Sequence, residues 1–147
     1  MECLADKTMY TPGERVVLQL ACVPPTASSL HITLFHLDEV VMTNDAAADS
    51  KSVSFSLPEK DYTGYLLQVQ ALDKTQRVLA TAHTAVDCSS NWTRFPRYGY
   101  VWDFTPEADI QSKIEQMTRY HLNGIQFYDW QYRHHIPVAP DRQGWRD

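Results

Sequence analysis

The sequence has no excess of positive charge. Thirteen Lys and Arg stand against eighteen Asp and Glu, a formal charge of −5. It therefore lacks the basic footprint that nucleic acid or an anionic membrane surface requires, and neither is an expected partner. It also lacks a long hydrophobic run. The longest near-apolar stretch, 16–23, is interrupted by Gln19 and falls far short of the ~20 residues that cross a bilayer as a helix, so no membrane span is expected. The start, Met1-Glu2-Cys3, has neither a basic segment nor an apolar core, and a secretion signal is not expected within this chain, whether removed or never there. Cysteine is scarce: Cys3, Cys22 and Cys88 make an odd number without CxxC or Cys/His spacing, which argues against a zinc site. Cys22 and Cys88 lie 66 residues apart, a separation comparable to the inter-sheet disulfide of immunoglobulin domains. The core Trp that accompanies that disulfide is missing, because no Trp precedes residue 92, and three thiols are the favoured expectation.

What remains is an ordinary globular composition, with 44% apolar and 21% charged residues, incompatible with a disordered or collagen-like chain. At 147 residues the chain accommodates at most two small domains. A complete (β/α)₈ barrel, at about 250 residues, does not fit.

Aromatic residues divide the chain: five (Tyr10, Phe35, Phe55, Tyr62, Tyr65) fall in residues 1–90 and twelve in 91–147, including all four Trp. The boundary is placed near Ser89-Ser90, giving domains 1–88 and 89–147. In the first, short alternating runs separated by turn residues predict antiparallel strands over 2–6, 15–21, 29–37, 39–44, 52–57, 64–72 and 78–86. Seven strands match an all-β immunoglobulin-like sandwich. Thr11-Pro12-Gly13-Glu14, Val23-Pro24-Pro25, Asn44-Asp45, Leu57-Pro58-Glu59 and Asp73-Lys74 are the expected turns. Tyr65, Leu67 and Val69 share one face and should meet the core. His31, His36 and His83 stand singly on strands and read as packed or solvated side chains.

The period changes in the second region. An apolar run over 98–104, a helical stripe Ile110, Ile114 and Met117, and a second apolar run over 124–130 predict a strand, helix, strand unit of 33 residues with parallel strands and a right-handed crossover. Thr105 as N-cap, Pro106 at the first helical position, and Glu107 with Asp109 near the positive end of the dipole should start the helix. Asn123-Gly124 should stop it.

Ligand sites in parallel α/β architectures lie at the carboxyl ends of strands, which here carry Trp102-Asp103-Phe104 and Tyr128-Asp129-Trp130-Gln131, then Arg133, His134 and His135. A carboxylate between Tyr and Trp suits a sugar: the acid accepts hydroxyl hydrogen bonds while aromatic faces cover C–H faces of the ring. The alternatives are that Asp129 caps a following helix and that Tyr128 or Trp130 fills a core. Adjacent His134 and His135 seldom point to one ion, and with no third ligand no metal is expected.

The run Trp92-Thr93-Arg94-Phe95-Pro96-Arg97-Tyr98-Gly99-Tyr100, the pair Asp103-Phe104 and, above all, Asn123-Gly124-Ile125-Gln126-Phe127-Tyr128-Asp129-Trp130-Gln131-Tyr132-Arg133-His134-His135 resemble glycoside hydrolase family 66. That family holds dextranases and cycloisomaltooligosaccharide glucanotransferases. The resemblance is strongest over residues 87–147. It implies an immunoglobulin-like domain followed by the first β/α elements of a truncated (β/α)₈ barrel, and a secreted, extracellular enzyme that acts on α-1,6-glucan (dextran) with retention. The implied partner is an α-glucan polysaccharide or oligosaccharide; no cofactor is implied and no oligomeric state is set. Retention uses an Asp nucleophile and a Glu acid/base about 5 to 5.5 Å apart, which the resemblance places on later barrel strands, so no catalytic residue is expected in this chain and the chain alone should be inactive. Asp129 becomes the auxiliary acid holding sugar hydroxyls, with Tyr128, Trp130, His134 and His135 lining the same subsites and Asp103 a further candidate. Two other readings compete: a non-catalytic carbohydrate-binding or adhesion module, disfavoured by the lack of an aromatic row in the sandwich, and a purely structural β-sandwich. Asn91-Trp92-Thr93 fits the N-glycosylation pattern and is assigned no role.

Overall fold

Eight short strands fill the first 88 residues, because runs of alternating side chains are separated by residues whose dihedrals a strand cannot use. They are β1 (Glu2–Ala5), β2 (Met9–Tyr10), β3 (Arg15–Ala21), β4 (Ser29–His36), β5 (Glu39–Ala47), β6 (Ser52–Ser56), β7 (Thr63–Leu72) and β8 (Val78–Cys88). The computed structural model describes residues 1–103, 105, 108–128, 131, 133 and 136, and the chain divides into two units, Met1–Pro96 and Arg97–Asp147. Among the described residues it is mostly β, with one α-helix.

In the first unit, β1-β3-β6 form one sheet and β2-β8-β7-β4-β5 another. Every pairing is antiparallel except that of β2 with β8. Alternate residues of both sheets meet in one core: Val16 and Leu18 of β3, Leu30, Ile32 and Leu34 of β4, Phe55 of β6, Tyr65, Leu67, Val69 and Ala71 of β7, and Ala82 and Val86 of β8. The inward face expected for Tyr65, Leu67 and Val69 is the observed one. Each fully buried Leu, Ile or Val contributes roughly 1.5–3 kcal/mol, which is why this unit holds its sheets together.

One local expectation fails here, and one strand stands outside the seven expected. Asn44-Asp45 is not a turn: β5 runs on to Ala47, with Asn44 opposite Ile32 and Asp45 opposite His31. The His31 Nδ1 to Asp45 Oδ1 contact of 2.7 Å and the continuing ladder give these poor strand formers partners that a turn would not. The chain instead reverses after Ala47, whose carbonyl accepts from Ser50 N at 3.1 Å. Strand β2 went unread, since two residues carry no periodicity. The remaining lone histidines are held as strand side chains, His36 at 3.1 Å from the Gly64 carbonyl and His83 at 3.1 Å from the Gln68 amide. All three cysteines are free thiols, Cys3 and Cys88 buried and Cys22 exposed. Burial raises the Cys3 thiol to about 11.

The segment after β8 is strapped to this unit. Ser90 donates its N–H (2.9 Å) and hydroxyl (2.6 Å) to the two Asp61 oxygens, and Tyr62 N donates to Asp61 Oδ1 at 2.8 Å. The Ser90 hydroxyl first, then the two N–H groups, hold the Asp61 carboxyl down at about 2. Tyr62, at φ 56°, presents its ring to Phe95 (centroids 5.1 Å apart) and to the Arg94 guanidinium (5.1 Å). Asn91 Oδ1 accepts from Thr93 N and Oγ1, so the sequon is a capped 3₁₀ turn, Trp92–Arg94.

The second unit contains β9 (Tyr98–Val101), α1 (Ile110–Arg119) and β10 (Gly124–Phe127). β9 and β10 are parallel, as expected, with Gly124 opposite Tyr98 and Phe127 opposite Val101. The helix ends differ from expectation. Asp103 Oδ1 accepts Thr105 N (3.1 Å) and Thr105 Oγ1 (2.8 Å), so Thr105 belongs to an Asx turn and cannot cap. Asp109 caps instead, accepting from Ser112 N at 2.9 Å. At the other end His121, not Asn123-Gly124, takes the left-handed conformation at φ 56°. His121 N bonds to Thr118 O and Leu122 N to Met117 O, both at 3.0 Å, the paired bonds of a Schellman stop. Asn123 is engaged elsewhere, its Oδ1 accepting from Arg97 N at 2.9 Å. The helix sits so near β9 that a Cβ on Gly99 would lie 2.7 Å from Leu122 Cδ1 and 3.1 Å from Met117 Sδ. Of the stripe, Met117 meets β9, while Ile110 and Ile114 remain exposed.

Candidate functional site

Parallel pairing brings the carboxyl ends of β9 and β10 to one place. The last ladder pair is Val101 with Phe127, and Tyr128 N donates to the Val101 carbonyl at 2.8 Å. Trp102 and Tyr128 thus follow directly on neighbouring strands. Gly99 and Val101 alternate with Tyr100 and Trp102; Gly99 and Val101 are buried, while Tyr100 and Trp102 are exposed. Tyr128 meets Tyr100 edge-on, with centroids 6.4 Å apart at 87°. The result is an exposed aromatic cluster of Tyr100, Trp102 and Tyr128.

Asp103 is held from two sides. Besides its two bonds to Thr105, its Oδ2 lies 3.5 Å from Lys113 Nζ of α1. The Thr105 hydroxyl bond first, then the Thr105 N–H and the Lys113 charge, hold its carboxyl below the usual range. Asp103 is therefore an ionised acceptor at neutral pH and not a general acid. Lys113 Nζ also lies 5.5 Å from the centre of the Trp102 ring, joining helix, carboxylate and indole.

Of the six residues singled out from sequence, Tyr128 and Asp103 stand at these two strand ends. Asp129, Trp130, His134 and His135 lie outside the described residues. Trp102 was read as a strand-end residue without an assigned role, and Tyr100 and Lys113 were given none. The signal for Tyr100 and Trp102 was their alternation with Gly99 and Val101; none marked Lys113, whose contacts reach back to Asp103 and Trp102 through the tertiary fold. Among the described residues no group of three or more His, Cys, Asp or Glu is placed to hold a metal ion, and no helix is long and apolar enough to cross a membrane. Exposed aromatic faces beside a fixed carboxylate and an ammonium can stack on C–H surfaces and exchange hydrogen bonds with hydroxyls.

Known proteins supply an independent comparison. The model of Glycosyl hydrolase family 66 matches residues 5–147. A cycloisomaltooligosaccharide glucanotransferase of Niallia circulans is 33% identical over 144 residues, covering 88% of this chain and 14% of the relative. A dextranase of Streptococcus salivarius is 25% identical over 119 residues, covering 69% of this chain and 14% of the relative. The crystal structure of a Paenibacillus sp. cycloisomaltooligosaccharide glucanotransferase complexed with cycloisomaltoheptaose superposes with a TM-score of 0.71 at 30% identity, over 95% of this chain and 21% of that one. The chain thus spans about one seventh of the length of these curated relatives. With a family match that runs through both units, the chain belongs to glycosyl hydrolase family 66.

Proposed function

We propose that the chain is the N-terminal portion of a longer, extracellular enzyme acting on α-1,6-glucan, by retaining hydrolysis or transglycosylation. In this reading the first unit is an immunoglobulin-like sandwich that supports catalysis without contacting the glucan. The second unit is the opening of a (β/α)₈ barrel, and the nucleophile and acid/base come from residues outside this chain. The observation that carries it is the parallel β9/β10 pair with exposed Trp102 and Tyr128 beside ionised Asp103 at its carboxyl end, in a chain matched to the family from residue 5 to residue 147. The supporting role of the first unit is favoured by its strands, whose aromatic residues, Tyr10, Phe35, Phe55 and Tyr65, are buried or half-buried, while its exposed Tyr62 and Trp92 lie outside the strands and form no row along one of them.

Asp129 is assigned the auxiliary role of holding sugar hydroxyls, with Tyr128, Trp130, His134, His135 and Asp103 around the same glucan. If its bonds strengthen as the ring distorts toward the oxocarbenium-like transition state, Asp129→Asn in the enzyme containing this chain lowers kcat and kcat/KM together. A charged hydrogen bond is worth roughly 1.5–3 kcal/mol, so the expected fall is about ten- to a hundredfold at an unchanged melting temperature. Steady-state kinetics with thermal melts check this. Near-normal kcat with a lowered melting temperature, as for a lost helix cap worth about 1 kcal/mol, removes Asp129 from the site.

A further inference from the structure

We infer that Lys113 is the positioning residue of the strand-end site, holding the Trp102 ring as a stacking platform for a neutral glucosyl unit. The inference rests on the α-glucan reading and adds to it a platform residue and the residue that sets it. Trp102 is 65% exposed at the end of a four-residue strand. Nothing in the alternation that exposes it fixes its rotamer. Lys113 supplies what the strand does not: from the first turn of α1 its ammonium reaches 5.5 Å from the indole centre and 3.5 Å from Asp103 Oδ2. Asp103 is aimed at it because its other oxygen is held by Thr105 N and Oγ1. An exposed cation–π contact favours one ring orientation by roughly two- to fivefold.

The same geometry selects the ligand. The Asp103 carboxylate offsets the ammonium charge, so the platform offers no net positive charge to a uronate or sulfated sugar. It offers an indole face for sugar C–H groups and ammonium N–H donors for neighbouring hydroxyls. Tyr128, edge-on to Tyr100, stands at the adjoining strand end.

The test uses the ¹⁵N-labelled enzyme containing this chain, with the Trp102 indole N–H and Tyr128 amide signals identified in Trp102→Phe and Tyr128→Phe. Isomaltotriose should shift that signal and the Tyr128 amide, while an oligogalacturonate should shift neither. Lys113→Met should move the indole signal toward that of a freely rotating tryptophan and weaken isomaltotriose binding two- to fivefold, and Lys113→Arg should restore both. An unchanged Val101 amide shows that β9 is intact in each variant; if Lys113→Met disturbs it, Lys113→Gln, which removes the charge and leaves a shorter polar side chain, gives the same comparison. Unchanged indole signal and affinity in the charge-removing variant overturn the role of Lys113. A Tyr128 shift without a Trp102 shift overturns the platform and leaves the glucan reading standing. No shift at either strand end overturns both.

Discussion

Leu67→Ala is expected to destabilise the first unit by about 2–5 kcal/mol, the range for deleting three carbons from a packed core where the surroundings relax only in part. Leu67 is fully buried at the middle of β7, opposite Leu34 on one side and Thr84 on the other. Its side chain joins the core in which both sheets share their inward residues. For a unit of this size the melting temperature should fall on the order of 10–30 °C. The neighbouring Leu66 points to the opposite face and is 42% exposed, so Leu66→Ala should cost under about 1 kcal/mol. Thermal or urea unfolding of both variants checks the contrast, and equal losses would mean that β7 does not present Leu67 to a shared core.

The two units should also differ sharply in amide exchange. Among the described residues after Pro96, only Gly99 and Val101 are buried, and Ile125, Phe127 and Tyr128 of the β10 segment are exposed. The two strands and one helix among the described residues bury too little for independent stability. The first unit closes its core and should reach several kcal/mol. Amides of Leu67 and Val69 are therefore expected to exchange at least about a thousand times more slowly than those of Ile125 and Phe127 in the monomeric chain. Comparable protection of β10 in a monomer would contradict this. Protection appearing only at concentrations where the chain self-associates would show another copy covering the exposed face.

What could be read from the sequence was what local pattern and simple periodicity govern. Tyr65, Leu67 and Val69 alternate and are buried; Gly124-Ile125-Gln126-Phe127 follows a helix and pairs parallel with Tyr98-Gly99-Tyr100-Val101. Three misread details share a physical source, which is that a residue suited to one local role was taken by another partner, near or far along the chain. Thr105 has the chemistry of an N-cap but gives its N–H and hydroxyl to Asp103, and capping passes to Asp109. Asn123 suits a left-handed stop but is claimed by the start of β9 through Arg97, so His121 bears the positive φ. Asn44-Asp45 suits a turn but is drawn into β5 by β4. At the candidate site the strand-end residues were legible because topology puts ligands there. Lys113 was not, because its meeting with Asp103 and Trp102 exists only after α1 packs back on β9.

In the proposed reading this chain brings sugar-contacting strand ends to an α-1,6-glucan enzyme without the catalytic carboxyl pair. The most direct measurement is release of reducing sugar from dextran by the purified 147-residue chain. The expected result is none, since retaining cleavage needs two carboxyl groups about 5 to 5.5 Å apart across the scissile bond and Asp103, the carboxylate described at the strand ends, is bound to Thr105 and Lys113. Turnover that co-purifies with the polypeptide and disappears in Asp129→Asn would contradict it.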